Sequence, residues 1–475
     1  MLPRLLLLLL SPLLVALPVN SHAEDDLREL IMQLTSEIKE LKTQVSQSNA
    51  RIDDLEQKLK KSNEDKLAAT ASPAAQTQAQ AGAPSASQPP ASASPAQGGK
   101  PVVTAGDVSG SIKIPGTDTS IGIGGFVKLD ALFSSTGMGQ DTRGNQRLEV
   151  AEIPVGPIAE GNDDQISLHA KESRFWFKSF TPTRWGDINT YLETDFYGDP
   201  RLDTYTPRLR HAYGSLGNFL AGQTWSTFVN NLAFADTLDN NNTVGGLLSL
   251  RQPLIRWTQP FSVGKLPMEW QVAVESPRTR VWDSRTNSMT TVNTNHYPDL
   301  IARVNFNPNW GNISVAALGR QLQYTPTALN EEKTVWGGAV SVAGKISTIG
   351  ADNIRFMLNY GDGLGRYAVN NFFADAVADN TGRFDTITAY GGMLAYQHWW
   401  NKAWRSTLAY GFARADQPNY AGAANQQTQS LHANLLWSPI SQTTIGLEYI
   451  YANRELVNGQ DGELQRVQFS TRFNF

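Results

Sequence analysis

Leu464 to Phe475 reads LQRVQFSTRFNF. Val467, Phe469, Thr471, Phe473 and Phe475 share one parity, and Arg466, Gln468, Ser470, Arg472 and Asn474 the other, so a strand here has one apolar and one polar face. One such strand suits a soluble sandwich as well as a closed barrel, and repetition decides between them. Upstream, alternating segments recur at Thr444 to Tyr451, Ser430 to Trp437, Trp404 to Phe412, Thr386 to Tyr396, Ile354 to Tyr360, Val335 to Ala343 and Ile313 to Arg320. The series continues through Asp299 to Phe306, Met268 to Glu275, Leu254 to Phe261, Phe219 to Trp225, Arg208 to Gly214, Ile188 to Phe196, Ser173 to Lys178 and Ile121 to Phe133. With the closing segment these make about sixteen strands, an even number within the range of large closed barrels.

The connections sort into two kinds. Short turns at Thr181 to Asp187, Asn307 to Gly311, Trp400 to Ala403 and Ser438 to Gln442 take turns with long polar loops at Ser134 to Asp164, Pro277 to Tyr297 and Gly361 to Phe384. Short turns on one rim and long loops on the other are the layout of a barrel in an outer membrane. The faces agree: Trp270, Val272 and Val274 share a parity, as do Leu408, Tyr410 and Phe412, while Glu269, Gln271 and Glu275, Arg405 and Thr407, and Glu448 fall opposite. Aromatic outward faces need a second layer in a soluble protein, and nothing in the chain offers one. The expected fold class is an all-β, 16-stranded antiparallel transmembrane barrel with a polar, water-filled lumen, preceded by an N-terminal α-helical coiled coil.

The chain has 475 residues, a formal net charge of -4 and 0 Cys. So small a net charge argues against a nucleic-acid binder, and the missing thiols remove disulfide, zinc-finger and thiol-enzyme chemistry. His22, His169, His211, His296, His398 and His432 lack metal-ligand spacing, and Gly361-Asp-Gly-Leu-Gly365 has no helix after it to cradle a phosphate. No Ser sits in a nucleophile motif. We expect no cofactor, no metal and no enzymatic activity.

The segments before the barrel divide cleanly. Residues 1–23 read as a secretory signal: Arg4, an apolar run from Leu5 to Leu17, and a small-x-small site at Ser21-His22-Ala23. Residues 24–67 carry a heptad seam with Ile31, Ile38, Val45, Ile52 and Leu59 at a and Leu27, Leu34, Leu41 and Leu55 at d. Glu37 with Lys42 and Arg51 with Glu56 occupy g and the following e positions. Such a helix, roughly 50 Å long, needs copies of itself to bury its seam, and branched a residues over Leu favour two strands. Residues 68–106 are Ala, Ser, Gln, Pro and Gly with little that is bulky, a flexible tether. Residues 107–475 are the barrel.

The segment Ser226 to Leu250 follows the fifth strand on the long-loop side and contains Asp236 and Asp239. Two readings are open: it folds into the barrel as an eyelet, or it stays outside as a surface loop. Arg174, Arg208, Arg210, Arg256 and Arg303 fall on lumen parity in nearby downward strands. Facing an acidic loop they set up a transverse field that favours anions; paired with Glu193, Asp195 or Glu269 they brace the wall instead.

Three stretches are specific. Pro115-Gly-Thr-Asp-Thr-Ser-Ile-Gly-Ile-Gly-Gly-Phe-Val-Lys128, the Ser173-Arg174 strand running into Thr181-Pro182-Thr183, and Arg208-Leu-Arg-His-Ala-Tyr213 with Leu220-Ala-Gly-Gln-Thr-Trp-Ser-Thr-Phe228 resemble the DcaP-like trimeric outer-membrane porins over nearly the whole chain. The resemblance implies a Gram-negative outer-membrane homotrimer with its helices in the periplasm, taking up small anionic solutes including dicarboxylates. A trimer conflicts with the two-stranded preference of the seam. The resemblance also implies that Phe469, Phe473 and Phe475 form the signal read by the barrel-assembly machinery. Partners on this reading are outer-membrane lipid, two further copies, that machinery and the solutes, with no nucleic acid. A different class of function stays open, in which the coiled coil tethers the envelope or holds a partner and the pore is incidental; so does a secreted soluble β protein.

Overall fold

The computed structural model describes residues 104–136, 147–157, 164–198, 204–242, 246–293, 295–326, 331–368 and 372–475. The expected signal, helix and nearly all of the tether lie outside these residues. The wall starts at Ser120–Ser134 and ends at Asp461–Asn474, and these two strands pair antiparallel, Phe126 opposite Asn474 and Ser134 opposite Arg466. In between come Gln165–His169 continued by Arg174–Thr181, then Ile188–Asp195, Arg208–Leu216, Phe219–Trp225, Arg251–Val263, Leu266–Glu275 and Asp299–Phe306. Gly311–Tyr324, Lys333–Ser347, Asn353–Asp362, Thr388–Trp399, Trp404–Ala415, Asn425–Ile440 and Thr443–Leu456 complete the circuit. Each pairs with its chain neighbour, and Gln165–His169 and Arg174–Thr181 both lie along the first strand, so they are two pieces of one wall strand. The result is a closed 16-stranded antiparallel β-barrel. Closure leaves no free edge, which is what lets strands cross lipid with every backbone group paired.

Period-two alternation dictates which way each side chain points. Ile123, Val127, Leu129 and Phe133 of the first strand, Leu358 and Tyr360, Leu408 and Tyr410, and Leu447 and Tyr449 are all exposed on the outer surface. In water so large an apolar surface would aggregate; in a bilayer it is the lipid-facing band. Trp185, Trp310 and Trp400 sit at the short turns and Tyr297 and Trp336 near the opposite rim, giving the two aromatic girdles. The wall is uneven: the third to fifth strands have 8, 9 and 7 residues and the fourteenth has 16, so one flank stands much taller.

The long loops depart from the expected polar excursions. Pro277 to Tyr297 contains a hairpin, Thr279–Asp283 with Ser288–Val292, whose first strand pairs in parallel with Ala376–Ala378, which in turn pairs with Phe384–Thr386. The lumen is also not polar throughout. Ala316, Ala343, Met357, Ala389, Met393, Ala409 and Ala452 face inward and are buried against Leu148, Val150 and Ile153, against Phe228, Leu247 and Leu248, and against Leu364, Tyr367, Phe372 and Phe373. Alanines on the wall leave room for loop aromatics, so three loops fill the taller flank of the barrel with an ordinary apolar core. Arg320 and Asp375 anchor this filling: both are fully buried, with Arg320 Nη1 2.9 Å from Asp375 Oδ1.

Candidate functional site

Residues 226–242 and 246–250 run along the inside of the barrel, and hydrogen bonds from one wall strand after another hold them there. Glu275 accepts the Thr227 N–H at 2.7 Å, and Arg303 Nη1 donates to the Val229 carbonyl at 2.6 Å. Asn230 reaches Asn312 and Ser314, each at 2.8 Å. Arg355 donates to the Phe234 carbonyl, Asn434 to that of Asp236 at 2.8 Å, and Glu448 accepts the Leu238 N–H at 2.7 Å. The Leu238 carbonyl accepts from Lys128 Nζ at 2.6 Å and Gln468 Nε2 at 3.1 Å. On the return path Asn359 donates to the Gly246 carbonyl at 2.6 Å. Gly246 has φ +73°, and a Cβ there would lie 2.2 Å from the Gly392 carbonyl oxygen, so only glycine permits this approach.

The two loop carboxylates do not stand free opposite the arginine row. Asp236 accepts from Arg405 Nε and Gln397 Nε2, both at 2.7 Å. Asp239 is buried 3.6 Å from Arg466 and accepts the Asn241 N–H at 2.8 Å. Burial pushes its carboxyl up, against the pull of Arg466. Arg466, inward as its parity requires, is therefore buried beneath the loop instead of facing water.

The five arginines separate into two groups. Arg208 binds Asp195 bidentately, Nε to Oδ1 at 2.9 Å and Nη2 to Oδ2 at 2.6 Å. Arg210 bridges Glu193 at 2.6 Å and Asp195 at 2.7 Å, and Arg174 lies 3.6 Å from Glu193. These three brace the wall. Arg256 and Arg303 have no carboxylate within ion-pair distance among the described residues, and the Nε of each has no hydrogen-bond partner there. Both line a lumen cavity of about 310 Å³ together with Tyr191, Glu193, His211, Tyr213, Trp225 and Gln271.

Sequence reasoning placed Arg256 and Arg303 on the lumen but missed the aromatic residues. Tyr191 shares parity with Glu193 and Asp195 and was legible. Tyr213 was not, because Arg210 is an extra residue in its strand: Thr194 pairs with Leu209 but Glu193 with His211. This β-bulge moves the inward face from the parity of Arg208 and Arg210 to that of His211 and Tyr213. Among the described residues there is no group of three or more His, Asp or Glu placed to hold a metal ion.

Comparisons with known proteins agree with this architecture. The described barrel superposes on the outer membrane channel DcaP of Acinetobacter baumannii with a TM-score of 0.64 and 22% identity, covering 78% of this chain and 100% of that one. Salmonella typhi OmpF, solved with daunomycin, gives a TM-score of 0.50 at 9% identity over 76% of this chain and 99% of that one. No curated protein matches the chain by sequence. Residues 109–475 match the profile described as DcaP outer membrane protein, well over half of the sequence. The chain belongs to the DcaP outer membrane protein family, as a non-enzymatic outer-membrane β-barrel channel.

Proposed function

We propose that this channel passes small hydrophilic anions, dicarboxylates among them, by passive diffusion past a constriction formed by the loop from Ser226 to Leu250. What carries this is the pair Arg256 and Arg303. They are the members of the arginine row with no carboxylate beside them, and their partnerless Nε atoms lie at a lumen cavity. Fixed guanidiniums without a direct ion-pair partner raise the local concentration of anions in a narrow pore, and their planar forks suit carboxylates. Arg174, Arg208 and Arg210 act one step back, holding Glu193 and Asp195 so that these acids do not cancel the field. Asp236 and Asp239 serve to seat the loop through Arg405 and Arg466.

The working unit on this proposal is a homotrimer. Its support is the low flank, where Ser179, Thr190, Ala212, Gly214 and Ala221 point outward and the Ser179 and Thr190 hydroxyls meet at 2.6 Å. Hydroxyls and small residues suit contact with a second copy better than contact with hydrocarbon. Residues 24–67, with the seam from Leu27 to Leu59, would join the same three chains in the periplasm after loss of residues 1–23, with 68–106 as tether. Phe469, Phe473 and Phe475 would be read by the assembly machinery.

The test is the reversal potential of reconstituted channels in a salt gradient, for the wild type and for Arg256→Gln with Arg303→Gln. Anion selectivity that collapses in the double variant supports the proposal. A channel that is unselective to begin with refutes it.

A further inference from the structure

We infer that the aromatic arc on the lumen wall, from Tyr191 through Tyr213 to Trp225, is a binding surface for pyranose sugar acids, whose ring lies on the arc while the carboxylate meets Arg256 and Arg303. This rests on the anion-conducting role proposed above and names the solute class for the same cavity. The arc is continuous around three neighbouring strands and is backed by Trp176 on a fourth. Trp176 stacks with Tyr191, ring centroids 6.3 Å apart and planes 24° from parallel. Tyr191 lies 5.8 Å from Tyr213 and 5.9 Å from His211, and His211 lies 5.9 Å from Trp225. Cations flank the arc and its backing, Lys178 Nζ 5.2 Å from the Trp176 ring centre and the Arg251 guanidinium 4.4 Å from that of Trp225.

The fold goes out of its way to present this surface. The bulge at Arg210 turns His211 and Tyr213 inward, and the facing Gly222 has φ +132°, where a Cβ would come within 2.6 Å of the Tyr213 Cα. Aromatic faces carry partial negative charge and attract the slightly positive C–H groups of a saturated ring. That accounts for half of the cavity. The other half is polar: Glu193, Thr224 and Gln271 border the same space, and Gln271 Oε1 has no hydrogen-bond partner among the described residues.

The polar half decides the solute class. A benzene ring with a carboxylate uses the arc and the arginines but leaves Gln271 Oε1 without a partner and offers nothing to the further bonding capacity of Glu193 and Thr224, which already bond to Arg210 and His211 within the wall. An open-chain acid meets the polar groups but has no flat face for the arc. A pyranose acid does both: C–H faces to the aromatics, hydroxyls to Glu193, Thr224 and Gln271, carboxylate to the guanidiniums. A cavity of about 310 Å³ stands at the small end of ligand sites, the size for one ring.

The experiment is block of single-channel current by galacturonate, gluconate and benzoate at equal concentration, in the full-length wild type and in Tyr213→Leu, Tyr213→Phe and Tyr191→Leu. Only assembled channels report, so poor folding of a variant lowers the count and not the reading. Galacturonate should bind at least tenfold more tightly than gluconate or benzoate. That preference should vanish in Tyr213→Leu and Tyr191→Leu and survive in Tyr213→Phe. Equal binding of galacturonate and gluconate, a ring preference unmoved by both leucine variants, or tighter binding of benzoate overturns the inference. The uncharged methyl galactopyranoside separates the two proposals. If it blocks in a channel whose reversal potential shows no anion preference, the arc stands and the anion role falls; an anion-selective channel indifferent to rings gives the converse.

Discussion

The arginines offer the most exacting prediction, because their contacts divide them into charges with a carboxylate in ion-pair contact and charges without one. Arg256→Gln with Arg303→Gln removes two cations that have no ion-pair partner among the described residues, while keeping a donor near the Val229 carbonyl that Arg303 holds at 2.6 Å. A permeating anion about 4 Å from a guanidinium in water gains about 1 kcal/mol. That is about a fivefold enrichment for each arginine, since about 1.4 kcal/mol makes a factor of ten. Reversal potentials in a potassium chloride gradient near 0.1 M should therefore show most of the anion preference gone. The effect should shrink near 1 M, where the screening length falls from about 10 Å to about 3 Å. The control is Arg208→Gln with Asp195→Asn, which deletes a bidentate ion pair without changing net charge. Its reversal potential should match that of the wild type. Unchanged selectivity in the Arg256 and Arg303 variant at low salt, or a shift as large in the control, would refute the division.

Gly246→Ala should widen the pore: a methyl group there meets the Gly392 carbonyl, the loop must lift off the wall, and single-channel conductance should rise while anion preference falls. An unchanged conductance would mean that the loop does not set the bore. Deleting Phe475 removes a reciprocal pair of backbone hydrogen bonds to Gly125, at 3.1 and 3.2 Å, and a ring 5.9 Å from Phe175. Membrane levels of heat-modifiable barrel should drop several-fold, and the channels that do assemble should conduct normally. Asp352, in the turn before Asn353–Asp362, accepts hydrogen bonds from the Trp399 N–H, the Tyr396 hydroxyl and His398, which hold its carboxyl down at about 2 against an ordinary 3.8. A depressed carboxyl stabilises above its unfolded value and loses that contribution as pH falls toward 2. Thermal unfolding in detergent should accordingly show a step between about pH 4 and pH 2 in the wild type that Asp352→Asn lacks.

The wall was legible because period-two alternation is written directly in the residues of each strand. Asp299–Phe306 and Phe219–Trp225 are readable at both ends, since each is bounded by clear turn residues. Strands rising above the bilayer are not: Asn425–Ile440 opens with NQQTQ, which looks like loop because an outward face clear of lipid has no need of apolar residues. Small inward alanines such as Ala389 and Ala409 give no hint that loop aromatics will cover them. For the site, parity finds Arg256 and Arg303, while a single bulge hides Tyr213. The path of the loop from Ser226 to Leu250 is hidden for another reason. Its partners, Asn312, Arg355, Asn434, Glu448 and Gln468, are scattered over five strands and mean nothing together until the sheet has curled round.

The carbonyl of Leu238 touches Lys128 of the first strand and Gln468 of the last. Those two strands meet only when the sheet shuts, so one loop atom spans the join from within like a clasp over the ends of a bracelet. The loop cannot make both of these bonds in an unclosed sheet, so its full seating depends on closure. If the loop sets the constriction as proposed, selectivity and completeness are thereby one property: a barrel whose ends have not met would also lack its sieve.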